Sequence, residues 1–211
     1  HVLPLPVKLY SFGSVFRHEK PQQGRYREHQ QFNVEIIGSQ DPLADLEVML
    51  LAFNLYRDLG YQELSFQLNS TGCPQCRPGY IERLVDYLSS FEDQLAEVDK
   101  VRLSRNPLRV LDSKEAGMER ILAQAPHSVD HLCEECESHF AELCQYLDVL
   151  DKPYTVNFRL VRGIDYYTKT VFEVWAQGIG ARLGDPRATD QGIVIPSSIR
   201  KCDPQRHRCA L

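Results

Sequence analysis

The stretch FRHEKPQQGRYREHQQF, residues 16–32, sets Arg17, Lys20, Arg25 and Arg27 within eleven positions and breaks them with Pro21 and Gly24. A charged surface helix does not carry Pro and Gly at such positions. The flanks, VKLYSFGSVF (7–16) and QQFNVEII (30–37), read as strands, so the charged segment is the loop of a long hairpin. Arg17 ends an apolar strand, and its planar, permanently charged guanidinium suits bidentate contact with a phosphate. Glu19 can accept from an exocyclic amine, and Arg25 and Arg27 extend the positive reach. On the returning strand Gln31, Asn33 and Glu35 alternate with Phe32, Val34 and Ile36, which puts three polar side chains on one face. Such a face beside arginines can floor a site for a nucleotide and a small polar ligand. The same residues also describe a solvated hairpin with scattered charge.

Outward from the hairpin, DPLADLEVMLLAFNLYRDLG predicts a helix. Asp41 is its N-cap, Pro42 its first residue and Gly60 its end, with Leu43, Leu46, Met49, Leu50, Phe53 and Tyr56 inward. ELSFQLN alternates as a half-buried strand. Helices are expected over 78–97, near 114–124, and over 129–150 with Ser128 as cap. YTVNFRLVRGIDYYTKTVFEVW (154–175) reads as two strands around a turn at Arg162-Gly163, and one of the adjacent tyrosines, Tyr166 and Tyr167, can pack inward while the other offers its hydroxyl. Strands and helices are mixed and neighbouring strands are hairpin-like, so the fold class is α+β with an antiparallel sheet.

The whole chain has 211 residues, a net charge of -5 and a pI of about 5.8, so any anion binding is local rather than a basic coat. No apolar run approaches the roughly 18 residues of a membrane span. The opening HVLPLPVKLYSFG has no signal-peptide layout. Seven cysteines without a secretion signal point to a reducing, cytoplasmic setting. The chain starts without Met and is expected to be a fragment. The tail from about 178 loses strand and helix period beyond GIVI and is expected to be poorly ordered.

Two segments together carry a family resemblance. FRHEKPQQGRYREHQQFNVEIIGS resembles motif 2 of the class II aminoacyl-tRNA synthetases in the form found in the histidyl enzymes. RLVRGIDYYTKTVFEV is similar to their histidine-binding motif, RGLDYYTGTVFE. The resemblance runs over residues 5–177. It implies a class II antiparallel sheet flanked by helices, divided as 1–70 (motif 2 hairpin and helix), 71–150 (a mostly helical insertion), 151–177 (the histidine-motif strands) and the divergent 178–211. It implies ATP, Mg²⁺, histidine and tRNA as ligands, a homodimer in the complete protein, and no membrane. Arg17 would grip the α-phosphate and the histidine carboxylate, Glu19 the adenine, and Arg25 the γ-phosphate. Gln31 would orient the amino acid, while Glu35, Tyr166 and Tyr167 would bind the imidazole. Arg162 would be the catalytic arginine at the α-phosphate. Lys20 departs from the family's usual Arg, and His29 stands where an aromatic ring stacks on adenine. Motif 1 before residue 1 and the Gly-rich strand, motif 3 and anticodon domain after 177 are not seen, and the tail is expected to come from a frame error or truncated gene model. The alternative is a non-catalytic, synthetase-like regulatory subunit of ATP phosphoribosyltransferase, which tends to lose the catalytic arginine.

CPQC (73–76) and CEEC (133–136) form a CxxC…CxxC pair. Two such knuckles can hold zinc through Cys73, Cys76, Cys133 and Cys136. The gap of 56 residues is long, yet one insertion domain could bring the pairs together; a family fold without a zinc requirement favours separate thiols instead. His131 and His139 read as surface residues and Cys144 as core. Cys202 and Cys209 belong to the tail.

Overall fold

The computed structural model describes residues 4–18, 26–161 and 167–176, and the backbone of 193–198. β1 (Val7–Phe16) and β2 (Glu28–Ile37) form the expected hairpin, in register from Val7 opposite Ile37 to Phe16 opposite Glu28. β2 starts two residues earlier than the sequence suggests because pairing runs to the loop, where the Arg17 N–H donates to the Arg27 carbonyl at 2.8 Å. α1 (Pro42–Asp58) starts as its sequence dictates: the Asp41 carboxylate accepts from the Leu43 N–H at 2.8 Å. Gly60, at φ +91°, takes the left-handed conformation that ends the element.

The second sheet has the order β4-β3-β5-β6, built from β3 (Leu64–Ser70), β4 (Tyr154–Val156), β5 (Thr170–Ala176) and β6 (Ile193–Ser198). β5 lies antiparallel to β3 and to β6, while β4 lies parallel to β3. The two strands expected around Arg162-Gly163 are therefore not a hairpin. β3 lies between them, and each takes one of its edges. β6 falls within the tail expected to be poorly ordered; there the β-branched run Ile193-Val194-Ile195 pairs along the outer edge of β5. The rest of the tail, with Cys202 and Cys209, lies outside the described residues.

β3 is covered on both faces rather than half-buried: Leu64, Phe66 and Leu68 face one side, and Gln67 and Asn69 are buried on the other. The apolar side meets Phe172, Val174 and Ala176 of β5, Met49 and Phe53 of α1, and Leu143 and Leu147 of α5 (Glu134–Val149) in a first core. Ile36 and Val34 fasten β2 to it.

Residues 77–125 build a second core of their own, around Leu84, Leu88, Val110, Leu111, Met118 and Leu122. The long helix expected over 78–97 is broken. α2 (Arg77–Ser89) ends where the Ser90 hydroxyl donates to the Tyr87 carbonyl at 2.6 Å; a 3₁₀ turn at Glu92–Gln94 and α3 (Glu97–Arg105) follow. α4 (Met118–Leu122) completes the module. Asp99, wholly buried, accepts from the Ser113 hydroxyl at 2.5 Å and from Arg102 at 2.8 Å.

Ser128 does not cap α5. It lies in a 3₁₀ turn and its hydroxyl donates to Asn69 Oδ1 at 3.1 Å, so the helix begins only at Glu134, with Glu134, Glu135 and Glu137 at its positive end. α5 lies within 71–150 in sequence, yet it packs into the first core against the sheet and α1. That packing buries His139, expected at the surface, to 6% exposure. Its Nε2 lies 3.4 Å from Asp45 Oδ2, and Asp45 has 0% exposure. Leu43, expected inward, is exposed instead, while Leu46, Met49 and Phe53 of the same stripe are buried as expected.

Removing one member of a buried pair leaves the other without compensation, at a cost of roughly 3–5 kcal/mol. Asp45→Ala and His139→Ala are each expected to lower unfolding stability by about 3 kcal/mol in urea titrations. The double variant is expected to lose clearly less than the sum; additive losses would mean that the two groups do not interact.

Candidate functional site

The sequence-predicted polar face of β2 exists. The Arg17 guanidinium donates to Gln31 Oε1 at 3.4 Å, Gln31 Nε2 donates to Asn33 Oδ1 at 2.5 Å, and Asn33 Nδ2 donates to the Ser11 hydroxyl at 3.1 Å. Gly13, opposite Gln31, adds no side chain beside this ladder. The period-2 register puts His29, opposite Val15, and Glu35, opposite Leu9, on the same face. The other face carries Tyr10, Phe12 and Phe32, all exposed, with the Tyr10 and Phe32 rings 6.1 Å apart. Arg17, His29, Gln31 and Glu35 thus share one surface of the hairpin. Glu19, Lys20, Arg25, Arg162 and Tyr166 lie outside the described residues. Tyr167 belongs to the second sheet: it is buried just before β5, and its carbonyl accepts from the Arg77 guanidinium.

A second polar face was missed in the sequence. On β3 and β5, Gln67 stands opposite Glu173, and the Trp175 indole donates to Glu173 Oε2 at 3.2 Å. Asn157 Nδ2 donates to Gln67 Oε1 at 3.2 Å. Asn69 uses all its capacity. Its amide donates to the carbonyls of Phe158 (3.3 Å) and Leu160 (3.0 Å), and its Oδ1 accepts from the Ser70 N–H (2.9 Å) and the Ser128 hydroxyl (3.1 Å). It therefore fixes the segment that leads to Arg162. Arg159 ties the same segment to the helical module through Glu119, at 2.8 and 2.9 Å. Alternation alone assigned Asn69 to a solvated face; the only signal was an Asn in a strand end followed by Ser-Thr-Gly.

The four cysteines of the two knuckles, expected to stay apart, come together. Cys73 Sγ lies 3.7 Å from both Cys76 Sγ and Cys133 Sγ, and all four sulfurs, with that of Cys136, lie within 4.8 Å of one another. Burial would push the Cys73 thiol up, but backbone N–H groups of Cys76 and Gln75 and the thiols of Cys133 and Cys136 outweigh it and lower it to about 7. Burial first, then the thiols of Cys133 and Cys73, push Cys136 up. His131 stays outside the cluster and stacks on Tyr80, with ring centroids 6.0 Å apart. Among the described residues no helix is long and apolar enough to cross a membrane.

A family model described as histidyl-tRNA synthetase matches residues 2–185. The histidine–tRNA ligase of Desulforamulus reducens is 47% identical over 182 residues, which cover 86% of this chain and 43% of that protein. The histidine–tRNA ligase of Pelotomaculum thermopropionicum is 49% identical over 179 residues, 85% of this chain and 42% of that protein. Apo histidyl-tRNA synthetase of S. aureus superposes with a TM-score of 0.65 at 31% identity, covering 90% of this chain and 42% of that one. The chain spans less than half the length of these relatives.

Replacing Asn69 leaves buried carbonyls and a buried hydroxyl without their partners. Asn69→Leu is expected to destabilise the fold by roughly 2–3 kcal/mol, read by chemical denaturation. A loss below about 0.5 kcal/mol would show that this network holds nothing in place.

Proposed function

The chain belongs to the histidyl-tRNA synthetase family, and we propose that it supplies the motif 2 and histidine-motif half of a histidine–tRNA ligase active site. The observation that carries this reading is the hydrogen-bonded row Arg17–Gln31–Asn33 on an open strand face shared with Glu35. In this reading histidine and ATP, the latter with Mg²⁺, are the first substrates. Arg17 holds the α-phosphate beside the histidine carboxylate, and His29 lies under the adenine. Glu19 and Arg25 hold the two ends of the nucleotide. Gln31 orients the amino acid. Glu35 accepts from the imidazole N–H, so a side chain without that donor leaves a carboxylate unpaired and is rejected. Tyr166 and Tyr167 complete the imidazole pocket.

A histidine carboxylate oxygen then bonds to the α-phosphorus as the bond to the bridging oxygen breaks, releasing pyrophosphate and leaving histidyl-adenylate. Such chemistry needs alignment and charge neutralisation rather than a protein nucleophile. Arg17 and Arg162 converging on one phosphate supply both. The acyl carbon then passes to a hydroxyl of the tRNA's terminal adenosine, and AMP leaves. The complete protein acts as a cytoplasmic homodimer. The regulatory-subunit reading is weaker, because Arg17, Arg25, Arg162, Tyr166 and Tyr167 are all kept.

The test is a hybrid in which residues 4–176 replace the matching segment of the D. reducens relative. Histidine-dependent ATP–pyrophosphate exchange is expected. Within the hybrid, Arg17→Ala should cut kcat by about 10²–10³-fold. Glu35→Gln should act mainly through the KM for histidine. A folded hybrid that binds neither histidine nor ATP would overturn the reading.

A further inference from the structure

We propose that Cys73, Cys76, Cys133 and Cys136 bind one zinc ion as a tetrahedral tetrathiolate site that clasps the chain after β3 to the start of α5, where the helical module leaves and returns. The inference rests on the thiols alone and holds whatever reaction the hairpin serves. A tetrahedron of Zn–S bonds near 2.3 Å has edges of about 3.8 Å. Cys73 stands 3.7 Å from two of its partners, and the widest separation in the set is within 4.8 Å. All four are free thiols. The spacing therefore already fits a single ion.

The surrounding chain is shaped for it. The first knuckle follows β3 directly, and the second opens α5, so the ligands come from two segments far apart in sequence. Gly72 lies at φ +67°, and a Cβ there would stand 2.7 Å from Cys76 Sγ. Only glycine lets the backbone pass that close to the sulfur. The Cys73 N–H donates to Cys76 Sγ at 3.2 Å, the outer hydrogen bond that metal-bound thiolates accept. Four thiolates around Zn²⁺ leave a double negative charge, and two cations stand in the same corner. Arg77 follows Cys76 and is held by Thr71 and Gly72; buried Lys169 pairs with Glu135, between the second pair of ligands, at 2.7 Å. On binding, each thiol releases its proton to solvent as its sulfur bonds to the metal.

Four sulfurs in tetrahedral array also take iron, and the test separates the two metals. The full chain is expressed in medium containing both metals, purified without chelator and analysed for metal. About one zinc per chain is expected, with negligible iron. Cobalt(II) added to stripped protein should give the visible spectrum of a tetrahedral thiolate site. Cys76→Ser and Cys133→Ser should each lower zinc content at least tenfold. Cys144→Ser, on α5 but outside the cluster, should keep it. Should a cysteine variant fail to fold, the unaltered chain still decides, because zinc must be bound stoichiometrically and chelator must lower its melting temperature. Iron in place of zinc, a folded chain that takes up no zinc on dialysis against it, or equal zinc in all variants would overturn the proposal.

Discussion

Two reciprocal backbone hydrogen bonds hold the corner on which the second sheet and the helical module both depend. The Thr71 N–H donates to the Lys169 carbonyl and the Lys169 N–H to the Gly72 carbonyl, each at 2.8 Å. They extend the β3–β5 ladder past the last strand residues into a segment where both chains turn away. Lys169 adopts φ +59° and Gly72 φ +67° to do so. A lysine in the left-handed region persists only where its surroundings over-determine it. Here they do: its ammonium is buried against Glu135, and the Thr71 hydroxyl donates to its carbonyl at 3.4 Å. From this one corner α2 leaves with Arg77, Tyr167 is fixed through its carbonyl, and Cys73 meets Cys133. A shift of one chain would move all three.

Local rules were legible where one segment decides its own structure. The hairpin arms, the Asp41-Pro42 start of α1, the Gly60 stop and β3 follow from alternation, capping and backbone freedom. What the sequence hid was partner choice. β4 is only three residues long and joins β3 in parallel, a pairing that no hairpin pattern announces. Ser128 has the chemistry of an N-cap, but a buried amide across the fold outcompetes the helix for its hydroxyl. The break after Ser89 follows from a second core that turns the chain back before residue 97. Burial of His139 depends on Asp45, ninety-four positions earlier, and no periodicity in α5 carries that.

The same division runs through the site. Arg17, Gln31, Asn33 and Glu35 were readable because strand alternation places every second residue on one face, and the register keeps that promise. Asn69 was not, since alternation cannot tell a solvated polar residue from one that is buried and fully bonded. Nor was the gathering of the thiols: a long gap between two CxxC pairs says nothing of distance until the module between them closes. Its own core, with Tyr80 and Tyr87 bonded to the carbonyls of Pro126 and Ile121, brings the end of the module back to its beginning.

The hairpin differs from the corner in how it is held. Among the described residues it is fastened at its base, by Ile36 and Val34 in the core and by Lys8 paired with Glu47 of α1 at 2.7 Å. Towards Phe16 the strands have no other cover among the described residues, so local opening there costs less than at the base. In that setting Arg17 rests on the neutral amide of Gln31 at 3.4 Å, a long bond between exposed groups. An ionised phosphate or carboxylate offers the same guanidinium shorter, charge-assisted and bidentate contacts. The exchange of one long neutral bond for such a pair favours an anion without first breaking a strong internal contact. It also leaves the Gln31 oxygen free for a donor on the same ligand. In the proposed reading, the long Arg17–Gln31 bond is the one that an anion also carrying an ammonium group, as an amino acid does, displaces.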